Sequence, residues 1–432
     1  MRDEINVGLL GLGTVGSGVY KILTRHKENF QRKIGTTVTL KSILERSMER
    51  VDELGVDRHI IAGDFDAMVD DPEIDMIVEV IGGIEPARTF ILQAIEKGKH
   101  IVTANKELMA SYGEEILKKA DAKGLDVYFE ASVGGGIPIV RPLKECLMGN
   151  KISMVMGIVN GTTNFVLTQM SEMDCPFDEA LEEAQKRGYA ERDPSADIEG
   201  HDAAAKIAIL ASIAFNSRVT SSQVYTEGIS NITPQDIAYA RELGCVIKLI
   251  ALAKEENGEL EVRVHPTLIP CNHPLASVDG VYNAIFVVGD AVGEVMFFGQ
   301  GAGSMPAASA IVGDILEIAR NIKYGSTGRT GCTCFESKAI KAIDEINSSF
   351  YLLISVHDRP GVLAQIAKAF GDNEVSLASV IQKGPRGADA ELMFMTHLVK
   401  EKNLRSALKA IRYLPVVNEV CNVIRVEGEQ SE

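Results

Sequence analysis

Ile5-Asn-Val-Gly-Leu-Leu-Gly11-Leu-Gly13-Thr14-Val15-Gly16 is the stretch on which the fold turns. Its first half is a short apolar strand, and from about Ser17 the pattern becomes helical. Gly-x-Gly-x-x-Gly alone is a weak signal, but a strand before it and a helix after it make it a phosphate-binding turn. Glycines at 11, 13 and 16 permit the tight turn, let the backbone approach a pyrophosphate, and let helix and strand pack closely. Thr14 and Val15 lie within this turn, and the N-terminus of the helix that follows faces the anion.

The residues that follow repeat the strand–helix theme. Thr37-Val-Thr-Leu-Lys-Ser-Ile-Leu44 is a second strand and ends in Glu45-Arg46-Ser47. An acidic residue at this place holds a ribose 2′-hydroxyl, and an arginine beside it binds a 2′-phosphate. Both are present, so NAD and NADP stay open, with Arg46 and Arg50 leaning towards NADP. Strands at 74–81 and 100–103 alternate with helices from about Pro86 to Lys97 and from about Lys106 to Lys123. That alternation predicts an α/β fold with a doubly wound parallel sheet, a Rossmann domain. Ligands bind at the carboxyl edge of such a sheet, where Gly82, Thr103 and Lys106 fall.

Residues 125–140 pass from a strand into Gly134-Gly-Gly136, a loop whose backbone can come close to a ligand or cation. From about Lys151 the pattern changes. Ile152–Val159 reads as a strand ending at Asn160-Gly-Thr-Thr163, a turn that caps another helix. Strands near 260–269 and 283–298 complete a second, mixed α+β domain. Gly299-Gln-Gly-Ala-Gly303-Ser-Met-Pro306 then precedes a long apolar helix to about Asn321, which returns the chain to the nucleotide domain.

The chemistry is expected at Gly188-Tyr-Ala-Glu191-Arg-Asp193-Pro-Ser-Ala-Asp197-Ile-Glu199-Gly-His-Asp202-Ala-Ala-Ala-Lys206. From Ala203 to Phe215 nearly every position is apolar, so the helix should be buried without a polar face. Asp202 and Lys206 are the exceptions, four residues apart on one side. An i,i+4 ion pair at a helix start is the plain explanation. Yet charges taken from water cost several kcal/mol unless paired. Five carboxylates, Glu191, Asp193, Asp197, Glu199 and Asp202, gathered before one lysine fit a site for a small, amino-bearing polar substrate.

Residues 324–335 are small and polar, a linker composition in which Cys332 and Cys334 read as linker residues. Beyond them a βαββαβ order predicts a ferredoxin-like module opening its first helix at Asp358-Arg-Pro-Gly361-Val362-Leu363. The expected division is a nucleotide domain at 1–135 completed by about 303–323, a central domain at 136–302, a linker at 324–349 and the last module at 350–427.

Bulk properties set the limits. With 432 residues, two or three domains are expected. A formal charge of −16 with no basic stretch to offset it argues against a nucleic-acid partner. No apolar run is long enough to cross a membrane. Seven scattered cysteines fit no zinc or disulfide framework, so a reducing cytoplasm is the simplest home.

Three features together resemble the homoserine dehydrogenase family along most of residues 1–325. They are the glycine fingerprint, Val102-Thr-Ala-Asn-Lys106, and the spacing from Gly188 to Lys206, which is the most specific of the three. The C-terminal module resembles an ACT domain, which binds an amino acid and regulates activity in related enzymes. The resemblance implies that Lys206 is the catalytic lysine and Lys106 the second lysine of the site. Glu191 and Asp202 would hold the substrate, with Asp197 and Gly188 beside them and Gly303 near the nicotinamide. Glu130, with the carbonyls of Val133, Gly135 and Ile137, would hold a monovalent cation, Na+ or K+. Asp358, Gly361, Val362 and Leu363 would line the regulatory site. A homodimer or dimer of dimers, and inhibition by an amino acid, threonine first, are expected.

The implied reaction is oxidation of L-homoserine to L-aspartate 4-semialdehyde with NAD or NADP, or its reverse. A lysine on an apolar helix suits the acid–base role. No cysteine is placed as a nucleophile, which argues against an acylating semialdehyde dehydrogenase. Two other readings stay in view: another lysine-using reductase, and a catalytically silent sensor of a nucleotide and an amino acid.

Overall fold

The strand Glu4–Leu10 (β1) is buried without a break from Val7 to Leu10, as a strand covered on both faces must be. The structure, a computed structural model, describes residues 3–329, 331–384 and 389–428. Parallel to β1 run Thr37–Leu44 (β2) and Met76–Glu79 (β3), then His100–Thr103 (β4) and Val127–Tyr128 (β5). Their order is β2-β1-β3-β4-β5. It reverses between β1 and β3, the switch point where such sheets open a crevice at their carboxyl edge. Val7, Leu9 and Val78 pack beneath Val19 and Leu23 of helix Thr14–Arg25 and Ile311 and Ile315 of helix Ser304–Tyr324. Each such buried aliphatic contributes about 1.5–3 kcal/mol.

Two compact units share the chain. One holds Met1–Val155, Ala205–Ser222 and Asn283–Lys338; the other holds Met156–Ala204, Gln223–Tyr282 and Ala339–Glu432. The first contains the parallel sheet.

The second is built on a long antiparallel hairpin, Cys245–Glu256 and Glu259–Pro270, turning at Asn257-Gly258. Both turn residues have positive φ, +54° and +82°, the geometry that matches strand twist in a two-residue hairpin. The ferredoxin-like module follows as predicted, with helices Val362–Asp372 and Glu401–Arg412 over strands Asn347–His357, Leu377–Lys383, Asp389–Thr396 and Val417–Val426. Phe350, Leu352, Ile354, Ile366, Phe370 and Phe394 form its core.

The module was expected to follow a linker at 324–349. Its last strand pairs in parallel with the hairpin, Arg425 against Thr267 and Val426 against Leu268. Part of the linker is also bound: Leu260 exchanges backbone hydrogen bonds of 2.8 Å with Ala339 and Lys341. A polar composition does not reveal that such a segment is pinned through its backbone. Among the described residues no helix is long and apolar enough to cross a membrane.

Candidate functional site

The glycine turn is shaped by contact. A Cβ on Gly16 would lie 2.0 Å from the Gly11 carbonyl oxygen, and Gly11 itself has φ +96°. Only glycine allows both. Helix Thr14–Arg25 starts at Gly13 with no side-chain cap and no acidic residue in its first turn. Its first amide groups are thus left for an anion, and the positive helix end favours one. At the end of β2 the Glu45 carboxylate folds back on the turn, accepting from the amides of Leu12 (2.6 Å), Arg46 (2.7 Å) and Ser47 (2.8 Å). Burial raises its pKa, but these bonds and Arg50 outweigh that and hold it below the usual value. Arg46 and Arg50 are exposed, and Arg50 reaches the Leu12 carbonyl at 3.4 Å. These residues fit a dinucleotide.

Glu79, fully buried at the end of β3, was not foreseen as an organiser of this edge. It accepts from the amides of Ile81 (2.9 Å) and Gly82 (3.1 Å) and from the Thr103 hydroxyl (2.6 Å). Asn105 donates to the Gly83 carbonyl at 2.6 Å and caps the next helix by accepting from Leu108 at 3.1 Å. Lys106 is the first residue of that helix, Lys106–Asp121. A carboxylate closing an apolar strand run, Met-Ile-Val-Glu79, was the available signal.

Helix His201–Ala214 meets the expectation of burial: from Asp202 to Ile213 every residue is buried except Lys206, which is half-buried. Asp202 and Lys206 lie one turn apart on it. Asn160 caps helix Gly161–Met173 with its oxygen and uses its amide nitrogen twice, donating to Asp197 at 2.7 Å and to Asp202 at 2.8 Å. Two of the five carboxylates are therefore tied through one side chain.

The other three are arranged differently from a common cluster. Glu191 is exposed. Asp193 closes its own turn by accepting from the Ser195 hydroxyl at 2.5 Å, which lowers its pKa, and Glu199 accepts from Ser230 at 2.9 Å. Short-range turn bonds of this kind compete for Asp and Glu in any polar loop. Gly188 follows helix Phe177–Lys186 with φ +74°, and Thr162 fastens that turn by donating to the Tyr189 carbonyl at 2.7 Å. Gly303 begins helix Ser304–Tyr324.

Glu130 is buried beside the triple-glycine loop. Its carboxylate accepts from the amides of Ile139 (2.5 Å), Val140 (2.7 Å) and Arg141 (2.8 Å). The buried carbonyls of Val133, Gly135 and Ile137 accept no backbone hydrogen bond among the described residues. Oxygen donors of this kind suit a hard cation, so the donor set fits Na+ or K+.

Asp314, fully buried, accepts from the Glu130 amide at 2.9 Å, with Arg141 and Glu317 also nearby. Burial, then the Glu130 carboxylate, pushes Asp314 well above the carboxylate range. A raised folded pKa gives stability that is full below the unfolded value of about 4 and lost as pH rises through the folded one. Asp314→Asn should therefore raise the thermal midpoint more at about pH 8 than at about pH 4. Melting curves with equal shifts at both pH values would contradict it.

In the C-terminal module, Asp358, Gly361, Val362 and Leu363 line one cavity of about 420 Å³. Asp358 accepts from Gln382 at 3.1 Å, and Gly361 leads into helix Val362–Asp372 with no side-chain cap.

Known proteins match along the whole of this architecture. The family profile described as homoserine dehydrogenase matches residues 138–316, its NAD-binding domain 11–130, and the ACT domain 350–416. Homoserine dehydrogenase of Bacillus subtilis (strain 168) is 43% identical over 426 residues, 98% of each chain. That of Synechocystis sp. is 45% identical over 431 residues, 98% of this chain and 99% of its own. The crystal structure of a homoserine dehydrogenase from Thiobacillus denitrificans superposes with a TM-score of 0.94 at 42% identity, covering 99% of both chains.

Proposed function

The chain belongs to the homoserine dehydrogenase family, and on that premise we propose that Lys206 is the acid–base group in oxidation of L-homoserine at C4. The family makes it an oxidoreductase acting on a CH–OH group with an NAD(P)-binding domain and an ACT domain. The observation that carries the proposal is the Asn160 bridge to Asp197 and Asp202, one turn ahead of Lys206 on a buried helix.

In this reading Glu191 and Asp202 bind the substrate ammonium, and Asn160 keeps Asp202 and Asp197 aimed together. Lys206 accepts the C4 hydroxyl proton, and Lys106 orients that hydroxyl. The bound nicotinamide supplies the hydride acceptor, so that one proton and one hydride leave homoserine and aspartate 4-semialdehyde results. Glu79, through Thr103 and the Ile81 and Gly82 amides, holds the cofactor edge in shape. Homoserine turnover by the wild type beside Lys206→Ala tests the assignment. A silent sensor is not favoured: Lys106, Glu191, Asp202 and Lys206 are all present, and the relatives are named as dehydrogenases.

NADP is the favoured cofactor in this reading. Glu45 is engaged with the turn, while Arg46 and Arg50 are exposed beside it and can take a 2′-phosphate. Replacing both arginines by alanine should raise KM for NADP about tenfold to a hundredfold, as loss of charge-assisted hydrogen bonds does. KM for NAD should stay nearly unchanged, and parallel titrations giving the same rise for both would reject the assignment. Val133, Gly135 and Ile137 with Glu130 would hold Na+ or K+ near the triple-glycine loop.

The ACT cavity would bind an amino acid, threonine first, with its carboxylate at the uncapped start of helix Val362–Asp372 and its ammonium on Asp358. Threonine should inhibit the wild type, and Asp358→Ala should abolish that inhibition while leaving uninhibited turnover in place. Calorimetry showing no threonine binding would remove threonine as effector. A homodimer or dimer of dimers fits the exposed Met296 and Phe298 on the strand Gly293–Gln300. The domain limits at 1–135, 136–302 and 350–427 belong to the same reading.

A further inference from the structure

Cys332-Thr333-Cys334 falls in the segment read from the sequence as a linker. Both are half-buried, in a cavity shared with Met109, Phe129, Lys144, Ile209, Ser212 and Arg218. Ile209 and Ser212 lie on helix His201–Ala214, after Lys206. Cys334 donates its thiol to the Ser212 carbonyl at 3.5 Å. Arg218 approaches the Cys332 sulfur at 3.8 Å, and the Cys332 amide donates to Asp121 at 3.0 Å.

Two cations face the sulfurs, Arg218 and the half-buried Lys144, with Lys118 adding a weaker positive charge and Asp121 and Glu145 opposing them. Cations on this side repel a metal ion and favour a thiolate. The neighbouring Cys334 thiol, then Arg218 and Lys144, hold Cys332 below the ordinary thiol range despite burial, while Cys334 is pushed above it. One sulfur is thus the nucleophile and the other the resolving thiol. Residues two apart have Cα atoms at most about 7 Å apart, near the span of a disulfide. A bond from the Phe335 amide to the Thr333 carbonyl at 3.0 Å bends the chain at Cys334.

We propose that Cys332 and Cys334 are a reversible dithiol–disulfide pair, oxidised by small-molecule disulfides, that lowers turnover through the helix carrying Lys206. The Cys332 thiolate attacks one sulfur of the small disulfide, forming a mixed disulfide and releasing one thiolate. Cys334 gives up its proton and attacks the Cys332 sulfur, forming the 332–334 bond and releasing the second thiolate. The pair loses two electrons and the small disulfide gains them. Oxidation removes the thiol donor from Ser212 and the negative charge between Lys144 and Arg218, so the contacts on the helix that carries Lys206 change. The disulfide stands apart from the assignment of Lys206; the effect on turnover rests on it.

The test uses the full-length protein in buffers of graded reduced and oxidised glutathione, read by mass spectrometry after alkylation and by homoserine turnover. A 332–334 disulfide is expected, with turnover reduced about tenfold, a size that sub-ångström displacement of a catalytic group produces, and restored by dithiothreitol. Cys334→Ser should stop at glutathione bound to Cys332. Iodoacetamide at about pH 6 should modify Cys332 ahead of the exposed Cys271, and Lys144→Met should move that reactivity to higher pH. Absence of the intramolecular disulfide, or an oxidised pair with unchanged turnover, would overturn the proposal.

Discussion

Lys206→Ala should lower kcat for homoserine by about 10²–10⁴, the range a positioned proton-transfer group contributes. Cofactor affinity should be unchanged, because the glycine turn and the Glu79 network do not include this side chain. The helix itself should survive, since alanine is the best helix former and Lys206 is only half-buried among apolar neighbours. A drop in kcat without a matching rise in KM separates lost chemistry from lost binding. If kcat remains within about threefold of wild type, another group moves the proton.

The second large effect is expected at Arg425, on the last strand of the ACT module. Its guanidinium grips Glu401 at 2.5 and 2.9 Å and Glu227 at 2.8 and 3.2 Å, and stacks near Tyr225 and Phe350. Burial alone would lower its pKa, but the two carboxylates reverse this and raise it. Arg425→Met leaves Glu401, 2% exposed, as a buried carboxylate deprived of that pair. Breaking a buried pair from one side costs about 3–5 kcal/mol, so the denaturation midpoint should fall clearly.

Regulation should suffer as well. Past Glu227, Ile229 donates to the Ile198 carbonyl at 2.9 Å and Ser230 to Glu199, at the edge of the substrate loop. One guanidinium therefore links the effector module to that loop. In Arg425→Lys, charge remains but the bidentate geometry is lost, and threonine should bind with weaker inhibition. Inhibition by threonine undiminished in both variants would remove Arg425 from the route.

Much of this architecture was legible because its signals are local. The strand, glycine turn and helix at 5–25 are contiguous, and the polar gaps at Asp202 and Lys206 stand out in an apolar helix. The links that complete the candidate site are not local. Asn160 reads as a cap, yet its amide finds Asp197 and Asp202 across 37 and 42 residues. Asp193 and Glu199 looked like members of one cluster because spacing cannot show which carboxylate a neighbouring serine will take. The pairing of Arg425 with Thr267 is a register between distant strands, which no periodicity reports. Cys332 and Cys334 sit in small polar sequence, and their burial comes from residues more than a hundred positions away, at 218 and 212.

The most direct measurement is the initial rate of homoserine-dependent formation of reduced cofactor, with NADP and NAD supplied separately in the presence of K+. The account predicts turnover with both, faster with NADP at equal concentration, and loss of that rate in Lys206→Ala. Well-folded protein that reduces neither cofactor, or a Lys206→Ala variant that reduces NADP as fast as wild type, would contradict it.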